Sequence, residues 1–263
     1  MSTDRSKTRD RDLGRDDALG LLSATLILGG WLGSLWMLLS IEVTWANAWV
    51  VPAGVVLQTF LYTGVFITAH DAMHGTVAPA SRRLNDAIGT LAVLMYALFS
   101  YEKLHEKHWE HHDHPASEHD PDYHDGEREG FWAWYFNFLK NYVGLWQIVG
   151  MAIVFNVLHH LVGVALLNLN VFWVAPAILS TLQLFYFGTY LPHREPEEGY
   201  VDQHRAESND FSVLWSFLSC YHFGYHWEHH EKPGTPWWRL PAVRRARSGG
   251  GGEPEDSNEP DSE

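Results

Sequence analysis

The 263-residue chain carries 18 basic and 32 acidic residues, a formal net charge of −14, which excludes the basic surface that nucleic-acid binding needs. A single cysteine, Cys220, excludes an intrachain disulfide and a cysteine-ligated zinc or iron–sulfur centre. The mean hydropathy of −0.19 is that of a soluble protein, but it averages long apolar runs with charged loops, an acidic tail and 17 histidines.

Met1–Asp17 holds five basic and five acidic residues and reads as a disordered polar arm. The apolar run behind it is too long for the core of a signal peptide and lacks a small-residue cleavage site, so no cleaved leader is expected. Four charge-poor stretches follow, Ala18–Ile41, Ala48–Ala69, Gly144–Leu167 and Val171–Leu191. Each reaches the roughly 20 residues that cross a bilayer as a helix. They predict an all-α integral membrane protein with four transmembrane helices in two hairpins. The turns within the hairpins, Glu42–Asn47 and Asn168–Asn170, contain no lysine or arginine, and all 18 basic residues lie on the other side. Both termini and both long polar segments are therefore expected in the cytoplasm.

Between the hairpins, Leu84–Ser100 is apolar but short. It predicts a partly inserted helix returning along the cytoplasmic face, because a crossing would put Lys103 to His114 on the wrong side. Phe131–Phe138 has the aromatic content of an interfacial helix. The membrane domain is thus expected over 18–247, followed over 248–263 by four glycines and six acidic residues, a flexible acidic tail.

The histidines cluster at the predicted cytoplasmic boundary. His70 and His74 stand four apart at the end of the second stretch, and two further boxes read His108-Trp109-Glu110-His111-His112 and His226-Trp227-Glu228-His229-His230. Residues at i, i+3 and i+4 share a helix face, so their imidazoles can converge on a metal. Eight such ligands exceed the four to six that one first-row ion takes, which implies two ions and a cytoplasmic helical cap carrying them. His193, at the end of the fourth stretch, mirrors His70 and is the preferred ninth ligand, with His204 and His222 as alternatives. His222 precedes His226 by four residues and would share its face on a continuous helix. Imidazole suits zinc, copper and iron alike.

Asp71, Asp113, Asp120 and Asp122, with Glu110 and Glu228, are candidates to accept the second ring N–H of a ligating histidine, as are His204 and His222 for supporting roles. His105, His114, His119 and His124 complete no spacing. His159 and His160 lie too far along the third stretch to reach the cluster and read as packing or as the distal end of a substrate cavity.

Two hairpins, a first box ending the second span and two HxxHH boxes on the cytoplasmic side resemble the membrane fatty acid desaturase and hydroxylase superfamily. The words His70-Asp71-Ala72-Met73-His74-Gly75, Asp120-Pro121-Asp122, Leu191-Pro192-His193-Arg194 and His222 to His230, with Pro236-Trp237-Trp238-Arg239-Leu240-Pro241, resemble the bacterial β-carotene 4-ketolases of the CrtW type from about Phe66 to Pro241. Trp227 stands where those ketolases often have a further histidine. It is off the i, i+3, i+4 face, so the difference bears on substrate positioning rather than on the metal set.

The resemblance implies two iron ions, dioxygen as co-substrate and oxidation of the C4 methylene of a β-ionone ring. Two successive hydroxylations would give a gem-diol that loses water to the ketone, taking β-carotene through echinenone to canthaxanthin. An apolar polyene in the bilayer could present one ring to a boundary site. With no iron–sulfur cysteines, dinucleotide fingerprint or haem domain in the chain, electrons are expected from a ferredoxin or similar carrier. Arg239, Arg244, Arg245 and Arg247 could dock such a carrier or hold anionic lipid headgroups. A carotenoid ring hydroxylase and a fatty acyl desaturase share the scaffold. A membrane metal transporter or sensor is the reading from another class, and it would need ligands along the spans.

Overall fold

The computed structural model describes residues 2–249, with side chains from 14 to 248. The acidic tail beyond Gly249 lies outside the described residues. Among those described there is no strand; the chain is all-helical, as its apolar periodicity predicts.

Helix α1 (Ser2–Ser40) leads to α2 (Val50–Met73). Helices α3 (Arg82–Ala97) and α4 (Tyr101–Asp113) meet at 97°, and α5 (Phe131–Tyr142) meets α6 (Leu145–Leu161) at 86°. A long helix α7 (Leu166–His193) follows, then three short ones, α8 (Val213–Cys220), α9 (His226–Glu231) and α10 (Leu240–Gly249). Three segments are long and apolar enough to cross a membrane, Gly14–Ser40, Val50–Met73 and Leu166–His193; counting each bent pair as one span gives five. Leu26, Trp36 and Ile148 stand more than half exposed on these helices, an outward apolar face suited to lipid rather than water.

The core is built around α2, which packs on α1, α3 and α7. Tyr62, Val65 and Ile67 of α2 are almost completely buried. Small and polar side chains tie the spans together where apolar burial gives little preference between a neighbour and lipid. Gln58 donates to Ser34 at 2.9 Å, Thr63 to Gln183 at 2.7 Å, and Tyr62 to the carbonyl of Tyr96 at 2.6 Å. At Gly89 an added Cβ would lie 2.8 Å from the Cβ of Ala72 and 2.3 Å from the ring of Tyr101. Glycine there lets α3 close onto both α2 and α4.

The stretch Leu84–Ser100 falls on helix α3, and its corner is made by Leu98, whose φ of 56° ends the helix in the left-handed region. Ser100 then caps α4 by accepting from the Lys103 amide at 3.4 Å. The reversal between the last two apolar stretches differs from expectation. It falls at Gly163, with φ 85°, and α7 begins at Leu166, so Asn168–Asn170 lies within helix. Asn168 instead donates to the carbonyls of Leu38 and Ile41, at 2.9 and 2.7 Å, satisfying the end of α1. The polar arm, expected to lack structure, is helical from Ser2 to Asp17 as the start of α1, and Asp17 accepts from the Ala80 amide at 2.9 Å while Asp16 pairs with Arg239.

Candidate metal centre

The ends of α2 and α7 supply His70, His74 and His193, and α4 and α9 bring their boxes across them. The rings assemble into two groups, His70, His74, His108 and His229 in one, and His111, His193, His226 and His230 in the other, with the nearest ring nitrogens of each group all within 4.8 Å of one another. His112 stands between them. Its Nε2 is 3.0 Å from Nε2 of His229, and its ring centroid is 4.3 Å from that of His230.

The separations suit a shared ion. Two nitrogens each about 2.0–2.1 Å from one metal lie roughly 2.9–3.4 Å apart at tetrahedral to octahedral angles. Three Nε2 pairs fall in that range, His70 with His229 at 3.1 Å, His230 with His111 at 3.2 Å and with His226 at 3.1 Å, while His74 and His108 stand closer, at 2.7 Å. Burial, reinforced by repulsion among the rings, holds His226, His229 and His230 well below the usual imidazole range. They are neutral at neutral pH, with lone pairs free to bind a cation. The buried Nε2 of His193 has no hydrogen-bond partner among the described residues, which a metal would supply.

Each box is divided between the groups. His108 and His112 lean to the first while His111 enters the second; His226 and His230 enter the second while His229 enters the first. Relative to residue i, the i+3 and i+4 side chains diverge in opposite directions by about 100° in total, so one turn of helix serves two centres. The spacing suggested a single face, and the structure splits it.

Second partners orient several rings. Asp120 accepts from His111 Nδ1 at 2.9 Å and from the Ala116 amide at 2.8 Å, and the Arg205 carbonyl lies 2.8 Å from His193 Nδ1. Asp71 sits 3.4 Å from His70 Nδ1 and is held from behind by the Trp237 amide at 3.1 Å. The other candidates fall elsewhere. Asp122 is 3.9 Å from His111, beyond hydrogen-bond reach. Asp113 and Glu110 are exposed on the outer face of α4. His204 pairs with Glu231 at 3.0 Å. His222 is not on the face of His226, because Tyr221 and His222 take φ values of 49° and 63° and α9 starts only at His226; its ring stacks on Tyr225 at 5.6 Å. His105, His114, His119 and His124 join neither group. His159 binds the Val164 carbonyl at 2.9 Å, within its own connection.

Glu228, fully buried, faces away from the metal groups towards Ser208, Arg244 at 3.4 Å and Arg247 at 3.2 Å. Arg244 also binds Asp210 at 2.6 Å, and the Arg247 guanidinium lies 3.6 Å over the Trp227 ring. With Arg239 paired to Asp16, much of the basic cluster is spent on holding α10 and α1 against the third box. The Arg205 carbonyl and the Trp237 amide were not legible as partners, since a backbone group leaves no mark in composition or spacing.

His70, His108, His111 and His226 end a cavity of about 90 Å³ whose remaining wall is mostly apolar, including Phe66, Leu104, Phe138, Leu184 and Phe223. The cavity thus reaches ligand candidates of both groups.

Nine imidazoles at the end of a bundle of apolar helices define the histidine-box class of membrane proteins. The chain belongs to the fatty acid desaturase family, whose model it matches over residues 44–148 and 140–251. Among curated relatives, a β-carotene ketolase of Haematococcus lacustris is 46% identical over 202 residues, covering 74% of this chain and 62% of that protein. A zeaxanthin 4-ketolase of Chlamydomonas reinhardtii is 43% identical over 236 residues, 88% of this chain and 52% of its own. A β-carotene ketolase of a Paracoccus species is 39% identical over 230 residues, 85% of this chain and 93% of its own. The chain spans less than two thirds of the length of the two algal proteins and nearly all of the bacterial one.

Proposed function

We propose that the chain is a membrane diiron oxygenase that converts the C4 methylene of β-ionone rings to a ketone, taking β-carotene through echinenone to canthaxanthin. The observation that carries this reading is the pair of adjacent imidazole groups at the end of an apolar cavity, in a chain whose relatives are named ketolases. His70, His74, His108, His112 and His229 would hold one ion, and His111, His193, His226 and His230 the other. Two iron ions bound there would supply the activation of dioxygen that an allylic methylene requires.

The protein's own part is placement. Asp120 and the Arg205 carbonyl fix the tautomers of His111 and His193, so that Nε2 of each ring faces inwards. Phe66, Phe138, Leu184 and Phe223 would pack against the ring in the cavity. The remainder of the polyene stays in lipid. The distribution of lysine and arginine supports four spans in two hairpins, with both termini and the metal groups cytoplasmic. A ferredoxin or similar carrier would deliver electrons.

Expression in a bacterial host that accumulates β-carotene, with pigments resolved by chromatography and mass spectrometry, tests the reading. Echinenone and canthaxanthin are expected. Zeaxanthin as product would move the reaction to the neighbouring ring carbon, and unchanged β-carotene beside iron-loaded protein and a working donor would overturn the carotenoid assignment.

A further inference from the structure

The cavity wall contains one polar pair that the metal groups leave unused. Asp120 takes the ring proton of His111 and, through the same Oδ1, the amide of Asp122 at 2.8 Å. This places the Asp122 side chain on the cavity side of the loop, where it lines the space together with His111 and His226. Its Oδ1 accepts the hydroxyl of Tyr142, which lines the same space. Its Oδ2 is 3.9 Å from His111 Nδ1 and has no hydrogen-bond donor among the described residues.

The pair is held rigidly. Lys107 donates to the Asn141 carbonyl at 2.5 Å and stands 5.0 Å over the Tyr142 ring, and Asn141 donates to the Pro121 carbonyl at 2.8 Å. These contacts tie α4, the Asp120–Asp122 loop and the end of α5 into one unit. Neighbouring wall residues are apolar, among them Phe99, Leu104, Leu139 and Val143. A hydrocarbon ring satisfies nothing on an uncommitted carboxylate oxygen and desolvates it at a cost. A ring bearing a hydroxyl donor offsets that cost with a charge-assisted hydrogen bond.

We propose that Asp122 and Tyr142 form a subsite for a hydroxyl on the ring carbon next to the one oxidised, so that the protein favours 3-hydroxylated β-ionone rings over unsubstituted ones. The hydroxyl donates to Asp122 Oδ2, and Tyr142 keeps the carboxylate turned into the cavity. This inference rests on the ketolase reading.

The test uses the full iron-loaded chain with an electron donor and compares kcat/KM for zeaxanthin and β-carotene as a ratio. A second measurement, without donor and hence without turnover, follows the quenching of tryptophan fluorescence by 3-hydroxy-β-ionone and by β-ionone. Wild-type protein is expected to prefer the hydroxylated member in both. Asp122→Asn, which keeps the size of the side chain and an acceptor for Tyr142, should lower the ratio about 10-fold, and Asp122→Leu with Tyr142→Phe about 100-fold. A ratio that both variants leave in place, or a parallel loss on both substrates, would overturn the subsite. If the wild type oxidises neither ring, the ketolase reading fails separately. The fragment preference then still decides the subsite: its loss in Asp122→Asn supports it, and equal binding of the two fragments by the wild type refutes it.

Discussion

His193 Nδ1 lies 2.8 Å from the backbone carbonyl of Arg205, and this bond leaves Nε2 of the same ring without a protein partner among His111, His226 and His230. A carbonyl accepts only, so Nδ1 carries the proton and Nε2 carries the lone pair. If the two groups hold metal as proposed, replacing His193 by alanine should therefore lower bound metal and abolish ring oxidation, with the protein still in the membrane. Arg205→Ala keeps the carbonyl and gives up the 3.0 Å bond from Nη1 to Ala116 and the guanidinium's place 5.9 Å over the Tyr200 ring, so it should retain its metal at a stability cost of about 1 kcal/mol. Metal analysis of the two purified variants checks the contrast.

Asp120 and Asp113 were equivalent candidates by position, and their surroundings separate them. Asp120 is buried against His111, while Asp113 is exposed. Asp120→Asn should weaken metal retention by roughly 10- to 100-fold. Asp113→Asn should leave it unaltered. Titration with a chelator, followed by residual bound metal, reads both.

Metal-stripped protein should be acid-sensitive. The folded-state pKa values of His226, His229 and His230 are depressed by burial and mutual repulsion, and that of His222 is depressed by burial to about 4. In the unfolded chain these rings titrate near the ordinary value of about 6.5. Below that pH the unfolded state binds more protons, so the stability these rings contribute is present above about pH 6.5 and is lost as pH falls towards the folded values. Thermal unfolding of the apoprotein from pH 8 down to pH 5 should show a falling midpoint, and prior loading with metal should raise the midpoint without removing its fall with pH, because metal-bound rings take up no protons in the folded state either.

Gly188 on α7 faces Phe223 so closely that an added Cβ would lie 2.1 Å from the ring. Phe223 also packs on His70 at 4.8 Å and on His226 at 5.2 Å between ring centroids. Gly188→Ala should push the ring into the cavity and lower turnover at least 10-fold, with a smaller effect on metal content. Turnover and metal analysis on the same preparation check it. A variant that loses iron and activity in proportion would place Phe223 with the metal support rather than with the substrate.

The membrane class and the histidine set were legible because each depends on local periodicity. A run of about 20 apolar residues and an i, i+4 pair are complete within a few turns of one helix. What escaped depends on single backbone conformations. The chain reverses at Gly163 rather than at Asn168–Asn170, and an asparagine that resembled a turn signal serves as a cap for another helix. His222 had the right spacing but not the right helix, since it is itself left-handed, as is Tyr221 before it, and α9 starts only at His226. Arg239, Arg244 and Arg247 bind Glu228, Asp210 and Asp16, acidic residues whose proximity only the tertiary fold creates.

The crossing of the boxes has a consequence for assembly. Since α4 and α9 each send rings to both groups, filling one group fixes the backbone that carries part of the other, and the ordering entropy of those two helices is spent once rather than twice. If two ions are held as proposed, loading should be cooperative, with the singly occupied protein a minor species throughout a metal titration. Damage to either helix should empty both positions together.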